Sequence, residues 1–308
     1  LNDQKDLVQT AQLEASSTFS LEKLSKGFAQ ELDISVAQML PLTKGKVPVF
    51  FVDVETDQDT VLEVELRISG KIGNYTPDMT LEKQSIPVCI GESTLRIEFS
   101  VTIEEKMYAF LMFHKNPLVK LYRTDQRITG ILTAFSTVNK AVSNYVDSFE
   151  FWCPQRRPGG HNIALSAEPG LTGFDVEQLK EGVYRPTTKT NAWVASLGDD
   201  YPELKISWQE AQEISRIDLL FDTDYDHPME SVLMGHPEEV MPFCVRNYQI
   251  WDDKGQVVYT KEGNYQTINS IELSAICSTK SLTIRFARPS TQVPVALFAV
   301  RCYKGGQQ

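Results

Sequence analysis

The chain alternates apolar and polar residues with a period of two over several long stretches. Leu62, Val64, Leu66 and Ile68 interleave with Glu63, Glu65 and Arg67, and Leu95, Ile97, Phe99, Val101 and Ile103 interleave with Thr94, Arg96, Glu98, Ser100 and Thr102. Such alternation puts one face of a strand on a core and the other in water. Further strands are predicted at 47–55, 107–113, 118–122, 127–137 and 147–152. The first half therefore reads as an antiparallel β-sandwich or jelly roll. One segment breaks the pattern: Leu21, Leu24, Phe28 and Leu32 have helical spacing after Ser20, which predicts a short helix.

After the segment Cys153-Pro154-Gln155-Arg156-Arg157-Pro158-Gly159-Gly160 the alternation resumes with Leu204, Ile206 and Trp208, then Ile217, Leu219 and Phe221, then Leu282, Ile284 and Phe286. Prolines and glycines in that segment cannot continue regular structure, so the predicted division is 1–155 and 156–308. Asp252-Asp253-Lys254-Gly255, between Tyr248–Trp251 and Gln256–Tyr259, predicts a hairpin turn in which the glycine takes positive φ. Val295–Tyr303 closes the second half as a strand. Long loops are expected at 166–193 and 222–244.

Composition narrows the function. Thirty lysines and arginines against 41 aspartates and glutamates give a net charge of −11, which disfavours nucleic acid and anionic membrane as partners. No apolar run approaches the roughly 20 residues of a membrane span. The five cysteines (Cys89, Cys153, Cys244, Cys277, Cys302) include no CxxC pair, so zinc ribbons and thioredoxin motifs are excluded. No GxGxxG, GxxxxGK[ST] or GxSxG occurs, so a dinucleotide-binding Rossmann site is not expected in this chain. The opening Leu1-Asn2-Asp3-Gln4-Lys5, without methionine or signal-like flanks, predicts a processed or excised chain. The compartment stays open, with a lean towards an exported bacterial protein.

The second half resembles a discoidin, or coagulation-factor type C, domain of the galactose-binding-like superfamily. The resemblance runs through Asn162–Ala167, Glu181–Pro186, Asn191–Val194, Leu204–Trp208, Ile214–Ile217, Tyr248–Ile250 and Phe298–Tyr303. Together with the alternation of the first half, it predicts an all-β chain of two β-sandwich domains, jelly-roll-like then discoidin-like. A second resemblance spans nearly the whole chain. Leu66-Arg67, Gly73–Asp78, Thr124–Gly130, Phe149–Trp152, Phe221–Glu230, His236–Glu238 and Met241–Cys244 are similar to the C-terminal region of a family of bacterial FAD-dependent oxidoreductases. That likeness implies a non-catalytic accessory region that packs on a flavin domain, with FAD held only by that absent domain. The alternative is a carbohydrate-binding module.

Candidate residues follow from these readings. Tyr184, Arg185, Asn191 and Trp193 fall, by the discoidin resemblance, in a loop at the variable end of the sandwich. With Asp224 they could supply an aromatic plate and directed polar groups to a sugar. His227 and His236 complete the candidate ligand-binding set. Asp222, Asp224 and Asp226 could converge oxygens on calcium, although His227 and Leu233 replace the glycine and glutamate of an EF-hand loop. The alternative is an acidic loop that caps its own turns. The competing reading of Trp193, a core or rim residue that fixes the loop, is slightly favoured; Trp208 reads as core, and Trp152 as packing at the domain junction. His114 reads as a satisfied strand-end residue and His161 as a linker residue. No catalytic residue is predicted.

Overall fold

The computed structural model describes residues 7, 8, 11–70, 76–137, 151–154, 160–180, 182, 184, 189–223 and 240–305. The chain is all-β and every described strand pair is antiparallel. It divides into two compact units. A first sandwich comprises Ser20–Gly173 with Thr187–Thr190, and a second comprises Leu1–Phe19, Phe174–Pro186 and Asn191–Gln308.

This division corrects the predicted boundary at 155. The strand Phe151–Pro154 pairs with Thr133–Thr137 in one sheet of the first sandwich, whereas Asn162–Ile163 and Leu165–Leu171 belong to its other sheet. The proline- and glycine-rich segment between them thus joins two sheets of one sandwich. The unit boundary falls after Gly173. At the N-terminus, Gln12–Ala15 pairs with the start of Glu203–Phe221, Leu13 opposite Ile206, and so belongs to the second sandwich.

In the first sandwich the inward alternation of Val49–Thr56 and Thr60–Ile68 buries Val52, Val54, Leu62, Val64 and Leu66. The predicted run 95–103 is interrupted: one strand ends at Ile97 and pairing resumes only at Thr102–Ile103. The predicted helix is absent as well. Leu21–Lys23 and Phe28–Leu32 are strands, the latter paired with Asn116–Thr124. Leu21, Leu24 and Leu32 are buried but Phe28 is 41% exposed, so the four do not share a face. Cross-strand pairing satisfies this backbone, and tertiary context overrides local spacing. Gly27 sits where a Cβ would lie 2.6 Å from the Arg123 carbonyl oxygen, so only glycine fits this crossing without displacing backbone.

Among the described residues the second sandwich is one seven-stranded sheet folded over a core. Its long strands Glu203–Phe221 and Ile268–Phe286 pair along their length, with register shifts between Ser207 and Gln212 and between Ile214 and Arg216. Bulges of this kind bend a strand. Leu204, Ile206 and Trp208 before the bend and Ile214, Ile217, Leu219 and Phe221 after it therefore meet in one cluster with Tyr248, Ile284, Phe286 and Leu297. The predicted hairpin forms between Tyr248–Trp251 and Val257–Lys261, with Gly255 at φ 76°. The predicted loop 166–193 contains most of a strand, Leu165–Leu171, and the short 3-10 helix Val176–Lys180.

Candidate functional site

Trp193 is 0% exposed. Its indole N–H donates to the Ser17 carbonyl at 3.1 Å, and its ring centroid lies 6.0 Å from that of Phe286. The strand Trp193–Val194 pairs with Ala296–Lys304 and carries this side chain inward, so it offers no ring face to a sugar. Asn191 is buried beside it in sequence. Tyr184 is 40% exposed, with the Arg301 guanidinium 5.0 Å from its ring centroid, a cation–π arrangement. Asp222 is buried just beyond Phe221, its N–H bonded to the Ala296 carbonyl at 3.1 Å. Arg185, Asp224, Asp226, His227 and His236 lie outside the described residues. Among the described residues no three His, Cys, Asp or Glu side chains come together as a metal-ligand group.

Other residues that the sequence singled out are structural. Trp208 is core. Trp152 packs with Met39, Phe110 and Met112 inside the first sandwich. His114 Nε2 lies 2.5 Å from Glu65 Oε1. His161 is more than a linker residue: its Nδ1 is 2.8 Å from Asp125 and its ring packs edge-on to Phe28.

Described residues of the second sandwich line two concavities, among others. One, of about 640 Å³, runs past Leu13, Ile206, Trp208, Asp218, Arg301 and Tyr303, and much of its wall is core side chain. The other is an open groove of about 610 Å³ with Tyr201, Asn247, Gln249, Thr260, Glu262 and Arg285 along it. Strand register builds this groove. Gln249 stands opposite Thr260 on one side and Arg285 on the other, and Arg285 stands opposite Glu203. These four therefore form a row on the solvent face, while Tyr248 and Phe286, one residue away, face the core.

The row is braced. Arg285 Nε and Nη2 lie 2.8 and 2.7 Å from Glu203 Oε1, and its guanidinium lies 5.7 Å from the ring centroid of Trp251 on the same face. Asp199 Oδ1 accepts the Tyr201 N–H at 3.1 Å, closing a turn that leaves the tyrosine ring 64% exposed at the groove. Pro202 accepts the Phe286 N–H at 3.0 Å, which straps that turn to the strand bearing Arg285. Asn247 Oδ1 accepts the Gly263 N–H at 3.0 Å, and Gly263 takes φ 62°. Beneath, Tyr248 donates its hydroxyl to Asn269 Oδ1 at 2.8 Å; burial pushes its phenol well above the usual range. The result is an exposed aromatic ring beside amide, hydroxyl and charged groups on a rigid sheet.

Sequence reasoning missed this row. Alternation marks Arg285 and Gln249 as outward-facing, but only the pairing of three non-consecutive strands shows that they are neighbours.

No protein-family model and no curated protein matches the chain. Solved structures do. A family 32 carbohydrate-binding module from Streptococcus pneumoniae EndoD is 11% identical, with a TM-score of 0.34 over 44% of this chain and 88% of that one. Chitosan-binding module 1 of a chitosanase/glucanase from Paenibacillus sp. IK-5 is 16% identical, with a TM-score of 0.31 over 43% of this chain and 86% of that one. Scores this low leave the function to be decided by the residues themselves.

Proposed function

We propose that the second sandwich is a discoidin-like carbohydrate-binding module and that the groove beside Arg285 is its sugar site. The observation that carries this reading is the exposed Tyr201 ring placed beside the Gln249, Glu262 and Arg285 side chains in one open groove. A pyranose presents a C–H face and a rim of hydroxyls. The first packs on an aromatic ring, and the second needs a few directed donors and acceptors. Arg285 supplies donors, Glu262 acceptors, and Gln249 both. No family model or curated protein supports the flavin-enzyme resemblance, and it carries no part of the proposal.

The test is isothermal titration against a panel of neutral, amino and acidic oligosaccharides, followed by Tyr201→Ala and Arg285→Ala. Saturable binding to the native chain that weakens at least tenfold in both variants, at unchanged melting temperature, supports the site. Binding that both variants retain in full moves the site elsewhere, and the absence of binding across the panel rejects the function.

A further inference from the structure

The strand Asn116–Thr124 points Val119, Leu121 and Arg123 inward, while Lys120 and Tyr122 remain partly exposed. Alternation thus assigns a core-side position of the first sandwich to a cation. Arg123 is only 4% exposed. Its Nε donates to Gln30 Oε1 at 3.1 Å, whereas its Nη1 is buried with no hydrogen-bond partner. No carboxylate among the described residues forms an ion pair with it. A small cavity of about 40 Å³ adjoins it, with Leu32, Val36, Leu121 and Phe135 on its inner side and the exposed Gln30 and Ile34 at its rim.

A buried charge without a counter-charge is among the most costly features a fold can carry. Burial lowers the guanidinium to about 10, which still leaves it protonated at neutral pH. Water could accept the Nη1 hydrogen but would not neutralise the charge. The cavity exceeds the roughly 10–15 Å³ of free volume that a site needs to hold one water, so it has room for one small ion. Glu31 and Asp33 border it but are themselves exposed.

We propose that Arg123 and this cavity form a site for one small monovalent anion of the size of chloride or formate. Such an ion would give the interior cation its missing counter-charge, and so would couple the stability of the first sandwich to the anion present.

The experiment is thermal unfolding of the full chain in sodium gluconate, too large to enter, with chloride replacing gluconate at fixed ionic strength. A ligand specific to the folded state raises the melting temperature by mass action, here by about 2–6 °C at tenfold the dissociation constant. Arg123→Met should abolish the chloride response and melt higher than the native chain in gluconate, because an unpaired buried charge is replaced by apolar volume. An equal chloride response in both proteins, or none in the native chain, overturns the site. Should Arg123→Met fail to fold, crystals of the native chain soaked in bromide decide: an anomalous peak within hydrogen-bond distance of Arg123 Nη1 supports the site, and its absence overturns it.

Discussion

Glu203 and Arg285 face each other across the antiparallel ladder, and a single carboxylate oxygen, Oε1, takes both guanidinium contacts, at 2.8 Å from Nε and 2.7 Å from Nη2. Two contacts to one oxygen tie the Arg285 guanidinium to Glu203 at the groove. Both side chains are largely exposed, so the pair contributes little to stability, about 0–1 kcal/mol. Its contribution is orientation.

Glu203→Gln should therefore leave the melting temperature within about 2 °C of the native value while weakening oligosaccharide binding by roughly three- to tenfold. Parallel calorimetric and melting measurements separate the two effects. Unaltered affinity would mean that Arg285 does not need its partner, or that sugar binds elsewhere.

Trp193 provides the opposite case. Its ring is fully buried against Phe286 and its N–H satisfies the Ser17 carbonyl. Trp193→Ala should cost about 3–5 kcal/mol through cavity formation, together with loss of that hydrogen bond. Denaturant unfolding would report this as a large drop in midpoint. A variant with native stability and lost sugar binding would instead restore the tryptophan to the binding surface.

Arg285 and Trp193 show how much was legible in the sequence. Period-two alternation identified the strands and the inward Trp208, because side-chain direction along a strand is a local property. Local spacing misled at Leu21–Leu32, where pairing with Asn116–Thr124 imposes extended backbone. Composition misled at 153–160, since prolines and glycines mark an interruption without saying whether the chain goes on to a new domain or to the facing sheet. The row Thr260–Gln249–Arg285–Glu203 could not be read at all. It exists only through the register of strands separated by up to 82 positions. The tryptophan of Trp193–Val194 looked like a loop aromatic because a two-residue strand carries too little periodicity to declare its inward face.

Gly130 gives a prediction about close packing in the first sandwich. It has φ 72°, and a Cβ built there would fall 2.0 Å from the hydroxyl oxygen of the buried Tyr108. Gly130→Ala combines an unfavourable left-handed backbone with overpacking, and should destabilise by about 2–4 kcal/mol. Adding Tyr108→Phe removes the overlapping oxygen and should recover part of that loss. Urea unfolding of the single and double variants measures the coupling, and purely additive losses would mean that the clash is relieved by some other movement.

Glu65 sets the acid limit of the same sandwich. Burial alone would raise its carboxyl, but hydrogen bonds from Arg67 at 2.6 Å, Thr80 at 2.6 Å and His114 at 2.5 Å, with the Arg67 charge, outweigh burial and hold it at about 2. The unfolded chain presents an ordinary carboxyl near 4.5. Its folded-state value is thus depressed, so the stabilisation is complete above pH 4.5 and is lost progressively as pH falls towards 2. The full span corresponds to something on the order of 3 kcal/mol. Urea midpoints between pH 7 and pH 2 should fall most steeply below 4.5. In Glu65→Gln the charged Arg67 loses its carboxylate partner, so the variant should be weaker at pH 7 and its midpoint should decline less over that acid range. A variant whose midpoint tracks the native chain at every pH would show that Glu65 is not the residue that titrates.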